Sequence, residues 1–164
     1  MPIEDNRPTV IFTTFWDAQK ILEKGVVVHK EVFEETNITT YIELDNSEVC
    51  SIALSYPKDV KFDEMFKLKF FCPTWDLLKK YKEDADWDYY VKKFMDLLSD
   101  RKTQVKNWVV DLDPTKVYIL CCWENTSNGA HCHRQLIYEA FKKSEWAKGK
   151  MNLVYRHGGI KQLR

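Results

Sequence analysis

One uninterrupted apolar run limits the folds open to this chain more than any other feature of its sequence. The run spans residues 117–122, reads Val-Tyr-Ile-Leu-Cys-Cys and follows Asp113-Pro114. A run of strand length without polar alternation is typical of a strand buried on both faces, as strands are in a parallel sheet covered by helices. It therefore predicts an α/β protein.

Strand and helix patterns alternate along the rest of the chain. Strands are predicted at residues 9–14, 26–29, 40–44, 51–55 and 151–155, with a charged turn or excursion over 30–39. Helices are predicted at 16–24 before a Gly25 C-cap, over 61–101 in pieces opened by Pro73 and Asp86, and at 133–143. The pattern predicts a Rossmann-like three-layer α/β sandwich with a mostly parallel central sheet and a helical insertion in the middle of the chain.

Length and charge narrow the class of protein. The chain has 164 residues and contains no repeat, low-complexity tract or linker, so residues 1–164 are expected to form a single α/β domain. Its 25 Lys and Arg residues balance 25 Asp and Glu residues, which excludes a protein that coats DNA through bulk positive charge. The basic stretches at 79–82 and 92–93 are interleaved with acidic residues, and we interpret them as a solvated, mixed-charge face.

Cysteine content and the composition of the first residues indicate the cellular compartment in which the protein is expected. Five cysteines form an odd set without the spacing of a disulfide framework, which favours a reducing environment. The first eight residues are polar and acidic, unlike a secretory signal, and the apolar runs are far shorter than the roughly 18 residues of a membrane helix. We therefore expect a soluble, cytoplasmic protein that does not bind a membrane.

The segment that begins in the apolar run carries the densest chemistry of the sequence. Residues 121–134 read Cys-Cys-Trp-Glu-Asn-Thr-Ser-Asn-Gly-Ala-His-Cys-His-Arg and join the predicted strand to an amphipathic helix. Ligands collect outside the carboxyl ends of strands in open α/β sheets, and a helix N-terminus attracts anions. We expect Cys132 to be a nucleophilic thiolate with His133 as its base. Glu124 would act as a base or hold a ribose hydroxyl, and Arg134 would bind a phosphate or carboxylate.

Residue spacing separates the chemistries open to this segment. A tyrosine-phosphatase loop is excluded, because Arg134 follows Cys132 by two positions and five residues should separate them. A redox pair of Cys121 and Cys122 is disfavoured because the two are adjacent and the segment has no Cys-x-x-Cys. A zinc site stays open, although no second pair of ligands follows, and its candidate donors are Cys121, Cys122, His131, Cys132 and His133.

A purely structural interpretation uses the same residues. The paired cysteines of the strand would be small core residues that point to opposite faces. His131 and His133 would cap the helix, and Arg134 would pair with Glu124 or Glu139 on the surface.

The chain resembles the family known as domain of unknown function 488. The resemblance is carried by an apolar strand with Cys-x-Glu at its end and by Cys-His-Arg at the start of a helix. The central segment and the first strand add further matches: Leu68, Pro73, Leu77-Leu78, Tyr81-Lys82, Asp86, Tyr90 and Phe12-Thr13-Thr14-Phe15. The resemblance implies a Rossmann-like α/β fold and no particular activity. The motif positions that it implies are Cys122, Glu124, Cys132, His133 and Arg134, with Thr13 and Thr14 as weaker matches. The chain departs from the family pattern in a longer loop at 125–131 and in the excursion at 30–45.

Three functions follow as hypotheses. In the first, the protein binds a small anionic ligand, nucleotide-like or otherwise phosphate-bearing, and acts on it. Cys132, His133 and Glu124 would be catalytic, and Arg134, Thr13, Thr14 and Cys122 would bind the ligand. In the second, it is a non-catalytic interaction or nucleic-acid-binding accessory protein, for example a phage protein. In the third, it is a small zinc-binding domain. The sequence does not identify a cofactor or an oligomeric state.

Overall fold

Strands and helices alternate around one central sheet in a computed structural model that describes residues 6–124, 126 and 129–158. In chain order the strands are β1 (Thr9–Thr14), β2 (Val26–Phe33), β3 (Thr36–Glu43), β4 (Ser47–Ser51), β5 (Phe66–Lys67), β6 (Val117–Cys122) and β7 (Asn152–Tyr155). The helices are α1 (Phe15–Lys24), α2 (Trp75–Asp84), α3 (Trp87–Asp100), α4 (Lys102–Val110) and α5 (His133–Lys143), with a short 3-10 helix at Lys69–Phe71.

The central sheet has five strands in the order β5-β4-β6-β1-β7, and every neighbouring pair is parallel. The apolar run of the sequence forms β6, which lies between β4 and β1 with all six residues buried. Helices flank the sheet. The predicted α/β fold, a Rossmann-like sandwich with a mostly parallel sheet, is confirmed.

The predicted helical insertion is confirmed by α2 and α3, and α4, which lies beyond the predicted stretch 61–101, extends it before β6. Helix α2 begins after Thr74, whose hydroxyl accepts from the Leu77 backbone N–H at 3.2 Å. Helix α3 begins after Asp86, whose carboxylate accepts from the Tyr89 N–H at 3.1 Å. Because the cap of α2 is Thr74, the proline at position 73 precedes the helix and does not open it.

Three local predictions are wrong. Residues 61–68 form no helix but contain β5, which pairs with β4, because apolar loop residues that pack on the core imitate helical spacing. Residues 30–39 are no turn but the outer half of a β2–β3 hairpin, closed by Glu34 and Glu35 at φ 50° and 63°. The outer half of the hairpin shows no strand pattern in the sequence, because most of its side chains face solvent and need no apolar alternation. The strand expected at 51–55 lies earlier, at β4.

Aromatic side chains fill much of the interior. The Phe71 ring lies edge-on to Trp108, at 5.3 Å between centroids, and to Phe141 at 5.9 Å. Phe12 and Phe94 are fully buried as well.

Among the described residues, no helix has the length and apolar character needed to cross a lipid bilayer. The expectation of one domain over residues 1–164 stays a prediction.

Candidate functional site

The strand register brings the predicted site together at one edge of the sheet. Thr14 of β1 lies opposite Cys122 of β6, and Ser51 of β4 lies opposite Cys121. Helix α5 starts at this same edge with Cys132 as its N-cap residue, whose N–H donates to the Gln135 side chain at 2.8 Å. The carboxyl ends of three parallel strands therefore meet the beginning of a helix, which is the usual ligand position in such sheets.

Two sulfur atoms and one imidazole form a buried cluster there, which we call the Cys-His cluster (Cys122, Cys132 and His133). The two Sγ atoms lie 3.1 Å apart and share a hydrogen bond. The Nδ1 atom of His133 lies 3.6 Å from the sulfur of Cys122 and 3.8 Å from that of Cys132. On its other side the His133 Nε2 lies 2.6 Å from the carbonyl oxygen of Ile52. A carbonyl only accepts, so Nε2 carries a hydrogen and Nδ1 is the nitrogen that faces the sulfurs.

The cluster separates the pKa values of its two thiols. Burial by itself would raise the pKa of Cys132, but the hydrogen bond with Cys122, His133 and the Arg134 guanidinium together lower it well below its usual range. Burial, and then the hydrogen bond with Cys132, raise the pKa of Cys122 well above its usual range. These opposite directions favour the thiolate on Cys132 and the proton on Cys122, an arrangement typical of reactive cysteines.

Arg134 is fully buried, and its guanidinium is engaged by the protein itself. Nη1 donates to the Glu124 carbonyl at 2.6 Å, and Nη2 donates to the carbonyls of Arg156 and His157 at 3.3 and 2.6 Å. The guanidinium carbon lies 5.3 Å from the Tyr155 ring centroid, and Nε has no hydrogen-bond partner among the described residues. Arg134 thus joins the end of β6 to the segment after β7. The surface pairs with Glu124 or Glu139 that the structural interpretation expected are absent, because the side chain points inward.

Thr13 and Thr14 lie at the same edge, and their hydroxyls are also engaged. Thr13 donates to the buried carboxylate of Asp17, which also accepts from Arg156 Nε at 2.6 Å and Nη2 at 2.9 Å. Thr14 donates to the Gly158 carbonyl at 2.9 Å and accepts from the Asp17 N–H at 3.2 Å as the N-cap of α1. Both threonine hydroxyls therefore stabilise the protein around the site through hydrogen bonds.

A cavity of about 290 Å³ opens beside the Cys-His cluster. Its lining comes from the ends of β4 and β6, from α2 and from the cluster: Ala53, Leu54, Ser55, Pro73, Trp75, Leu78, Lys82, Cys122, Trp123, Glu124 and His133. The exposed side chain of Glu124 stands at its rim. Partial desolvation by the surrounding protein, and then the charge of Cys132, raise the pKa of the Glu124 carboxyl. A raised carboxyl pKa suits a general acid at neutral pH.

Three lining residues from α2 were missed as site residues by the sequence analysis: Trp75, Leu78 and Lys82. Lys82 belongs to a stretch that the sequence analysis interpreted as a solvated face. Its only sign of a role in the site was its match to the family pattern, in Tyr81-Lys82. The neighbouring Lys80 fits the earlier interpretation, since it pairs with Asp84 and lies 4.0 Å from the Tyr89 ring centroid. Of the longer loop at 125–131, residues 125, 127 and 128 lie outside the described residues.

The geometry does not favour zinc. Of the described Cys, His, Asp and Glu side chains, only three place donor atoms together, those of the Cys-His cluster. Two thiolates on one tetrahedral zinc lie about 3.8 Å apart, from Zn–S bonds of about 2.3 Å. The sulfurs of Cys122 and Cys132 are closer, at 3.1 Å. Two of the predicted donors lie elsewhere: Cys121 hydrogen-bonds within β6, and His131 stacks on Trp87 at 4.4 Å.

Fold and site together define an α/β domain with a parallel sheet, a Cys-x-Glu strand end and a Cys-His-Arg helix start. The family model DUF488-N3a, described as the active DUF488-N3 subclade, matches residues 36–145. The chain belongs to this family, which confirms the resemblance drawn from the sequence. The matched region contains the Cys-His cluster and all of α2, whereas β1 and β7 lie outside it. No curated protein and no solved structure matches the chain.

Proposed function

We propose that this domain is an enzyme that binds a small anionic, nucleotide-like ligand in the cavity beside the Cys-His cluster and acts on it with the Cys132 thiolate. One observation carries the proposal: the Cys132 sulfur, with an imidazole nitrogen 3.8 Å away, lies directly behind Cys122 and His133, which line a cavity at the carboxyl edge of a parallel sheet. Perturbed thiols with a neighbouring base are typical of active sites. Membership of the active DUF488-N3 subclade also supports an enzyme.

The size and lining of the cavity favour one class of ligand. A volume of about 290 Å³ lies at the small end of ligand pockets, which suits a nucleoside or nucleoside monophosphate better than a dinucleotide. Trp75 is 60 % exposed, so it offers a face on which a base can stack. Lys82 is the lysine of the cavity lining, and no ion pair of its ammonium is seen among the described residues, so it can pair with a phosphate.

The residues then take distinct roles. Cys132 is the nucleophile, and His133 exchanges protons with it through Nδ1. Glu124 donates a proton to the leaving group or positions a ribose hydroxyl from the rim of the cavity. Arg134, Thr13 and Thr14 are positioning residues in this proposal, because their donors already serve the protein. Cys132 is only 3 % exposed, so the reacting atom must enter past Cys122 and His133, which line the cavity.

A binding experiment tests the ligand class. The intact chain is titrated calorimetrically with adenosine, AMP and inorganic phosphate, and then compared with the Lys82→Ala and Lys79→Ala variants. Lys79 is exposed on the same helix but does not line the cavity, so it is the matched control. We expect AMP to bind best and Lys82→Ala to weaken it about tenfold, the effect of losing one charged contact. Equal binding by both variants, or no binding of any nucleoside, would refute the proposal.

Alkylation kinetics test the nucleophile. Iodoacetamide labelling of the folded chain, followed by peptide mapping over a pH series, gives the rate at each cysteine. We expect Cys132 to react with a low apparent pKa and the other four cysteines to react slowly. If Cys132 labels no faster than an ordinary thiol at neutral pH, the assignment is wrong.

A non-catalytic interaction protein is the second candidate, and the β2–β3 hairpin favours it. Val28, Val32 and Tyr41 of this hairpin are 45, 71 and 67 % exposed. An isolated two-stranded ribbon is marginally stable, which makes such an apolar surface a natural contact for a protein partner. In that case a Cys132→Ser variant would keep its biological function, whereas Tyr41→Asp would lose it.

A further inference from the structure

The two sulfurs of the Cys-His cluster are placed for a second kind of chemistry. Cys122 ends β6 and Cys132 caps α5, so the fold brings together residues that the sequence separates. Their Sγ atoms lie 3.1 Å apart, and a disulfide bond of about 2.05 Å requires an approach of about 1 Å. We propose that Cys122 and Cys132 are a redox-active dithiol that a hydroperoxide converts to an intramolecular disulfide. This inference goes beyond the proposed function but rests on its assignment of Cys132 as the thiolate.

The reaction has two balanced steps. The Cys132 thiolate attacks one oxygen of the hydroperoxide, an S–O bond forms, the O–O bond breaks, and the alkoxide or hydroxide that leaves takes up a proton. The sulfur of Cys122 then attacks the resulting sulfenic acid, an S–S bond forms, the S–O bond breaks, and hydroxide leaves as water with the Cys122 proton. In sum, two thiols and one hydroperoxide give one disulfide, one alcohol or water molecule, and one water molecule.

The surroundings restrict this reaction to one pair. Burial raises the pKa of each of the remaining thiols, Cys50, Cys72 and Cys121, so all three stay protonated. Their sulfurs are engaged with oxygen atoms of Glu48, Leu68 and Ile119, and no sulfur–sulfur contact of theirs is seen among the described residues. The cavity reaches Cys122 and His133, so an oxidant as small as hydrogen peroxide has a path to the cluster.

Tryptic mapping tests the proposal directly. The chain has no Lys or Arg between Lys116 and Arg134, so one tryptic peptide, 117–134, contains Cys121, Cys122 and Cys132. The folded chain is treated with hydrogen peroxide, denatured, alkylated without reduction and digested. We expect this peptide to take up one alkyl group after oxidation and three when reductant is added first. Three alkyl groups after oxidation would overturn the proposal, and so would fragmentation that places the bond at Cys121.

Single variants separate the two steps, with circular dichroism to confirm that each is folded. Cys132→Ser should prevent oxidation of peptide 117–134. Cys122→Ser should stop at a sulfenic acid on Cys132 that dimedone traps. Cys121→Ser is the matched control and should still form the disulfide. A dimedone adduct on Cys122 of the Cys132→Ser variant would contradict the proposed order of steps.

The proposal and the proposed function can fail separately. If the disulfide forms in a chain that binds no nucleoside, the redox-active dithiol is supported and the proposed nucleotide-like ligand is refuted. If AMP binds in a way that depends on Lys82, but peptide 117–134 still takes up three alkyl groups after oxidation, the proposed function is supported and the redox-active dithiol is refuted.

Discussion

Replacement of Arg134 by methionine discriminates between a guanidinium that binds ligand and one that holds the protein together. Arg134 is fully buried, and it donates to three backbone carbonyls. Methionine keeps the apolar stem and removes all of these hydrogen bonds. If Arg134 is structural, the loss will appear in the free energy of unfolding without any ligand present.

The magnitude follows from the contacts. Hydrogen bonds to a charged group contribute about 1.5–3 kcal/mol each, so three would contribute at least about 4.5 kcal/mol. Methionine also removes the cost of burying a guanidinium, but it leaves the carbonyls of Glu124, Arg156 and His157 without their donor. We expect a net loss of about 3–5 kcal/mol, which lowers the melting temperature by about 6–20 °C for a chain of this size.

Urea denaturation followed by tryptophan fluorescence measures this loss. Lys143→Met is the matched control, since it removes a cation from the exposed side of the same helix and should change stability by less than about 0.5 kcal/mol. Arg134→Lys should lie between wild type and Arg134→Met, because an ammonium cannot reach all three carbonyls in the fork of a guanidinium. The reasoning is refuted if Arg134→Met unfolds within about 1 kcal/mol of wild type and loses only ligand affinity.

Three further substitutions follow from the same edge of the sheet. Gly158→Ala should lower the free energy of unfolding by about 2–4 kcal/mol, because Gly158 has a φ of +83° and an added Cβ would lie 2.2 Å from the Thr14 methyl group. Gly149→Ala is the control, since Gly149 has open space around it, and it should be nearly neutral in the same urea assay. Arg156→Met should cost about 3–5 kcal/mol in thermal unfolding because it leaves the carboxylate of Asp17 buried and unpaired, and addition of Asp17→Asn should restore part of that loss rather than deepen it. Cys132→Ser should lose stability relative to wild type increasingly as pH rises towards 9, because a lowered pKa adds stability that is fully present above the unfolded thiol value of 9.0 and lost as pH falls. A pH-independent difference would refute the thiolate.

The residue pattern predicted the parallel part of the fold. An apolar run such as β6 is set by burial on both faces, and burial selects residue types directly. The cap residues Asp86 and Gly25 likewise marked helix ends through local hydrogen bonds and a left-handed φ of 78°. The β2–β3 hairpin escaped prediction because most side chains of its outer half face solvent, which leaves residue type almost unconstrained there.

The sequence by itself determined that Cys132, His133 and Arg134 open a helix after a buried strand, because strand burial and helix periodicity are local properties of the chain. Only the tertiary structure decided what these residues contact. It turned Arg134 inward onto three carbonyls, set the sulfur of Cys132 against that of Cys122, and brought Lys82 from α2 to the cavity. Each of these pairings joins separate strands, helices or loops, and such contacts depend on packing in three dimensions, which residue spacing does not encode.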